Sequence, residues 1–316
     1  MGKADGVTRA YMRENEIFAD AFNFYIYNGK QVIDPEQLQP LDTAEIATPF
    51  GGTEGEEIVQ KYRDVLKSVT IKQDARTTYL LLGIEDQTRI HYAMPVRNII
   101  YDALQYGKQV EEIARKHLKQ EDHRGHSGDE YLSGLYKEDK IVPVITLVIF
   151  FGAKKWDGPL SLHEMMEEQP PEIMDLVQDY KIHLIQPATL TDEDLEKFQT
   201  SMREVMSFIK YSKDKGKIKS LLKDNPRFRG LRREAAMVID EYTNMEFAFD
   251  EEESVNMCEG VQGLIDDAVE ENIVENVKNL MKNMSLTMEQ AMDALGLSKE
   301  KKKIVSKTLQ RVERRK

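Results

Sequence analysis

Arg63-Asp64-Val65-Leu66-Lys67, then Thr78-Tyr79-Leu80-Leu81-Leu82-Gly83-Ile84-Glu85-Asp86-Gln87, then a helical run opened by Pro95: these residues decide how the chain folds. The first two segments are rich in branched and aromatic residues and read as strands, joined by a turn near Gln73-Asp74-Ala75-Arg76. Successive side chains on a strand alternate faces, so Glu85 and Gln87 share a face and Asp86 takes the other. If the strand carrying Asp64 is the antiparallel neighbour, Asp64, Glu85 and Gln87 converge on one spot. A carboxylate that follows an apolar run such as 80–84 is costly to bury without a partner or a metal. Two carboxylates and a neutral amide make a hard-oxygen site suited to Mg²⁺, or to Mn²⁺. Such a site suits metal-assisted phosphodiester hydrolysis.

The elements on either side extend this pattern. Residues 9–27 read as one helix with Ile17, Phe18, Phe22 and Ile26 on its apolar side, stopped by Asn28-Gly29. Residues 31–57 form a connector with Pro35, Pro40 and Pro49 and a short strand near Glu45–Thr48. Strands follow at 60–71 and 78–87. Pro95 suits the first turn of a helix reaching Lys119, with Val96, Ile99, Ile100, Ala103 and Leu104 at a helical period. Residues 121–138 read as a mobile loop. The run 141–150 reads as a strand buried on both faces, with Pro143 near its start. A further strand is expected at 181–186, then helices at 191–211, 214–223, 226–243 and 254–284, with a hinge at 250–253. A helical hairpin closes the chain, with Thr287 and Ser298 as caps and Gly296 as the stop.

The order Asp, hairpin, Glu-x-Gln, helix resembles the PD-(D/E)XK nuclease core, with Gln87 where many members carry lysine. The wording around it is similar to the Rpn group of recombination-promoting nucleases, often labelled putative transposases. The matching words are Phe18-Ala19-Asp20-Ala21-Phe22-Asn23, the two strand segments above, Met94-Pro95-Val96-Arg97 with Tyr101-Asp102-Ala103-Leu104, and Trp156-Asp157-Gly158-Pro159. The resemblance covers roughly residues 10–190, and the C-terminal hundred more loosely.

The resemblance implies an α/β fold with a PD-(D/E)XK restriction-endonuclease-like core, a mixed sheet flanked by helices, and an all-helical C-terminal extension. It implies a Mg²⁺-dependent DNA endonuclease tied to recombination, mobile elements or phage defence. Asp64 and Glu85 would hold the metal and Gln87 would position water. Asp20, one helical turn from Asn23, would assist from the first helix, and Arg97 is a candidate DNA phosphate contact. Glutamine cannot supply lysine's charge, so slower or more metal-dependent chemistry is expected. A catalytically inactive DNA-binding or regulatory/interaction protein on the same fold is the alternative.

Composition narrows the remaining classes. The chain has 316 residues and a net charge of −12, which opposes nucleic-acid binding unless the cations cluster. They do cluster, at 210–223, 227–233 and 299–316; the last segment holds nine Lys/Arg against two Glu. The single cysteine, Cys258, excludes an intrachain disulfide and a multi-cysteine zinc site. No Ser-His-Asp or Cys-His set is recognisable. His91 stands just past the key strand, His123 and His126 fall in the expected loop, and the histidines suggest no metal box. Trp156 reads as a packing anchor. With neither an apolar leader nor an apolar run long enough to span a bilayer, the reading is cytoplasmic and without a membrane. Two domains are expected: a nuclease domain at 1–212 and a helical region at 213–316 for oligomerisation or for DNA or partner contact. The apolar spacing of Met288, Ala291, Met292 and Leu295 asks for a covering surface, which a homodimer would supply.

Overall fold

The structure is a computed structural model that describes residues 3–41, 44–47, 59–62, 64–73, 76–87, 89–120, 125–243, 245, 247, 253–298, 301–303 and 305–306. The first helical stretch is two helices, α1 (Lys3–Arg13) and α2 (Asn15–Tyr27), because Glu14 is extended at φ −63°, ψ 130°. The break is held from the sheet: Lys67 Nζ donates to the Arg13 carbonyl and to Asn15 Oδ1, both at 2.6 Å. Asn28 ends α2 in the left-handed region, as the Asn-Gly pair predicts. Gly29 follows at φ 87°, and a Cβ there would lie 2.8 Å from Lys197 Cβ, so conformation and space both require glycine.

The strands that follow are β1 (Leu38–Pro40), β2 (Ala44–Ala47), β3 (Val59–Tyr62), β4 (Val65–Gln73), β5 (Arg76–Gln87), β6 (Val144–Phe150) and β7 (His183–Ile185). Five of them form one mixed sheet in the order β1-β4-β5-β6-β7. Pairs β1–β4 and β4–β5 are antiparallel, whereas β5–β6 and β6–β7 are parallel. The connector therefore carries an edge strand that its prolines hide; an edge is where Pro40 can sit without breaking a ladder. The strand expected at 60–71 is split, since β3 pairs with β2 as a separate hairpin and Asp64 lies in a bend before β4. Thr48, at the end of the expected short strand, lies outside the described residues.

Between β5 and β6 run α3 (Met94–Gln120) and α4 (Gly128–Ser133). Gln109 on α3 clamps the chain entering β6, donating to the Val142 carbonyl at 3.0 Å and accepting from its N–H at 2.6 Å. Much of the expected mobile loop is built. Ser127 and Glu130 form a reciprocal cap on α4, and buried Tyr136 lies between two imidazoles, with centroids 3.8 Å from His117 and 3.6 Å from His126. Residues 121–124, including His123, lie outside the described residues.

The short helix α5 (Pro171–Met174) precedes β7. After β7 come α6 (Asp192–Leu195), α7 (Met202–Tyr211), α8 (Lys215–Asp224), β8 (Leu231–Arg232), α9 (Arg233–Thr243), β9 (Ser254–Val255), α10 (Met257–Met284) and α11 (Met288–Ala294). The expected helix at 191–211 is broken between α6 and α7.

The two sheet faces pack differently. Val65, Val69 and Ile71 of β4, Leu80, Leu82 and Ile84 of β5, and Leu147 and Ile149 of β6 join one apolar core with α1, α2, α7, α8 and α9. That core runs past residue 212, through Ile218, Leu222, Phe228, Leu231, Ala235 and Ile239 to Met257. A separate cluster holds Val274 and Val277 of α10, Ala291 and Met292 of α11, and Val305. On the other sheet face, Val148 and Phe150 pack with Met94, Trp156 and Ile182 beneath α3.

Candidate active site

Asp64, Glu85 and Gln87 fall at one end of the sheet. The β4–β5 register ends with Val65 opposite Ile84, and Asp64 lies in the bend just before β4, at the end of the ladder that leads to position 85. Gln87 follows two residues after position 85, on the same face of β5. The β5–β6 register extends it sideways: Glu85 is level with Val148 and Gln87 with Phe150, the residues packed under α3. The side chains of Glu85 and Asp86 lie outside the described residues.

Asp64 is 6% exposed and ion-paired with Arg9 of α1. Gln87 is 8% exposed, and its carbonyl accepts from the Phe151 N–H at 3.2 Å. Carboxylate and amide oxygens are the donor types that a hard divalent cation uses. Beyond this end of the sheet, His91, Ala93, Val96, Arg97, Ile100 and Tyr101 line a groove of about 360 Å³. Arg97 is half-buried there. Its Nε donates to the Tyr101 hydroxyl at 3.1 Å, and its guanidinium lies 5.6 Å from the Tyr101 ring centre.

Asp20 is hydrogen-bonded to another part of the chain. It is 1% exposed, and its two oxygens accept from the Gln199 N–H (3.1 and 3.0 Å), the Thr200 N–H (2.9 Å) and the Thr200 hydroxyl (2.6 Å). These donors lie in the break between α6 and α7, so the carboxylate pins that break to α2. Asn23 acts likewise on the following turn, accepting from Val32 and Ile33 N–H groups and donating to the Ile33 carbonyl. The acidic helix residue in the matched wording is thus held by donors of the α6–α7 break, and no described contact joins it to Asp64.

Two residues at this end of the molecule escaped the sequence reading. Nothing in the sequence marks Arg9, because its partner is 55 residues away. Lys67 did leave a signal: it occupies the core-facing register of Val65, Val69 and Ile71, where a lone charge needs a dedicated acceptor. Burial pushes its ammonium down to about 8, against the opposing pull of the Glu14 carboxylate.

Among the described residues, His126, Glu130 and Glu138 form a group able to hold a metal ion, their ligand atoms all within 4.8 Å of one another. The histidines are therefore not wholly without acidic company, contrary to the expectation. This group sits beyond the far end of α3. Glu130 is already engaged, its oxygens accepting from the Ser127 and Lys137 N–H groups, which hold its carboxyl at about 2.

The fold is that of a mixed α/β protein, a five-stranded mixed sheet flanked by helices. The chain belongs to the family described as "Putative transposase, YhgA-like", whose model matches residues 5–228. Searches of the curated proteins and of the solved structures each gave no match. No described helix is long and apolar enough to cross a membrane.

Proposed function

We propose that this chain is a metal-dependent DNA endonuclease with a PD-(D/E)XK-type core, serving recombination, mobile elements or phage defence. The observation that carries the proposal is the β4–β5 register, which ends at Val65 opposite Ile84, so that Asp64 and Glu85 adjoin the same end of the ladder and Gln87 follows on β5. The family's name supports action on DNA. Asp64 and Glu85 supply the oxygen ligands for Mg²⁺ or Mn²⁺, and that donor set fits such an ion. A divalent cation held there lowers the pKa of its water and offsets charge at the phosphate. Gln87 orients the attacking water by hydrogen bonding. Arg97, at the groove beside the site, takes a flanking phosphate. Asp20 serves the site indirectly, by fixing α2 against the break before α7.

A second reading has its own observation. Asp64 is already neutralised by Arg9, as expected of a catalytically inactive DNA-binding or regulatory protein on this fold. Plasmid nicking with Mg²⁺, with Mn²⁺ and with chelator separates the two. Metal-dependent nicking supports the endonuclease. DNA retention without nicking supports the inactive binder.

A further inference from the structure

Asn98 is 0% exposed, and neither its amide nitrogen nor its amide oxygen has a hydrogen-bond partner among the described residues. Buried amides are nearly always paired, so one with both halves unmet calls for a partner that the described residues do not supply. Its place in the fold says which group. Asp102, one turn further along α3, accepts from the Thr146 hydroxyl of β6 at 2.6 Å. Met94, one turn earlier, packs with Val148 and Phe150 of β6. Positions four apart lie on one helix face. Asn98, midway between them, is therefore set against the stretch of sheet around Val148. The register partner of Val148 is Glu85.

On the strength of the metal-site reading above, we propose that Asn98 is a positioning residue of that site. Its amide is held in a dry seam level with Glu85, where it hydrogen-bonds the Glu85 carboxylate or a water of the site once a divalent cation is bound. An amide suits this role because it donates and accepts without adding charge to a site that must stay anionic for its cation. Its neighbour Arg97 faces the groove, so the first turns of α3 serve the site from both sides.

The test is Mn²⁺ titration of the full chain by calorimetry, with metal-free thermal melts, for wild type, Asn98→Leu, Asn98→Ala and Glu85→Ala. The expected result is a loss of about tenfold or more in Mn²⁺ affinity in both Asn98 variants, the scale of outer-shell effects at metal sites. Metal-free Asn98→Leu should melt at or above wild type, because leucine of similar shape removes two unmet polar groups. Wild-type affinity in the Asn98 variants, with binding lost in Glu85→Ala, would overturn the role of Asn98 and leave the metal site standing. A metal-free Asn98→Leu that melts well below wild type would also overturn it, by showing that the amide has a structural partner. A wild-type chain that binds no Mn²⁺ would remove the metal site and this inference together.

Discussion

In the proposed endonuclease the chemistry would turn on Gln87, because it takes the place where a lysine would put a positive charge beside the scissile phosphate. Position 85 lies on the same face of its strand. Gln87→Lys should therefore keep or raise Mg²⁺-dependent cleavage, measured as initial nicking rate; complete loss in a folded protein would show that the amide has a role lysine cannot fill. Asp20 separates a structural from a catalytic duty. Removing an acceptor of four hydrogen bonds leaves part-buried donors unmet, so Asp20→Ala should cost about 2 kcal/mol in urea unfolding. Cleavage per folded molecule should be unchanged, and a fall in that quantity at full stability would restore Asp20 to the active site. The wording 18–23 marked these residues as important. It did not say for what, because the donors that hold Asp20 are roughly 180 residues away.

At the scale of elements, the strands that cross the core were legible and the breaks between elements were not. β5 and β6 announce themselves by apolar runs, and α3 by Pro95 and its period. The break at Glu14, the edge strand β1 and the gap between α6 and α7 depend on partners elsewhere in the chain: Lys67, β4 and Asp20. The order in residues 125–140 is hidden for the same reason, since it rests on Tyr136 stacked between His117 and His126. The Lys67 clamp carries a pH signature. Its folded pKa, about 8, lies below the ordinary 10.5, so between these values the unfolded chain binds more protons than the folded one. Stability should rise as pH goes from 8 to 10.5, when the buried amine no longer has to be charged. Urea midpoints across that window should climb in wild type and climb less in Lys67→Met; parallel slopes would place the titration in another group.

At the scale of the molecule, the apolar core does not stop at residue 212. α9 packs on α1 and α7, and the core reaches Met257. We propose that the N-terminal unit continues past residue 212 to at least Met257. A 1–212 truncation should expose the faces that α8 and α9 cover and fail to melt cooperatively, whereas 1–262 should melt near the full chain; the reverse would restore a boundary at 212. The argument for a dimer also changes. Ala291 and Met292 are buried against Val274, Val277 and Val305 of the same chain, so the spacing that asks for a cover is largely met in cis. Light scattering of the full chain and of 1–262 shows whether the tail still contributes to self-association. The proposed endonuclease rests on Asp64 and Glu85 holding the metal that cuts DNA. The most direct measurement is Mg²⁺-dependent plasmid nicking by wild type and Glu85→Ala, purified side by side and checked for equal folding. The account predicts chelator-sensitive nicking by the wild type and none by Glu85→Ala. Equal nicking by the two proteins would contradict it.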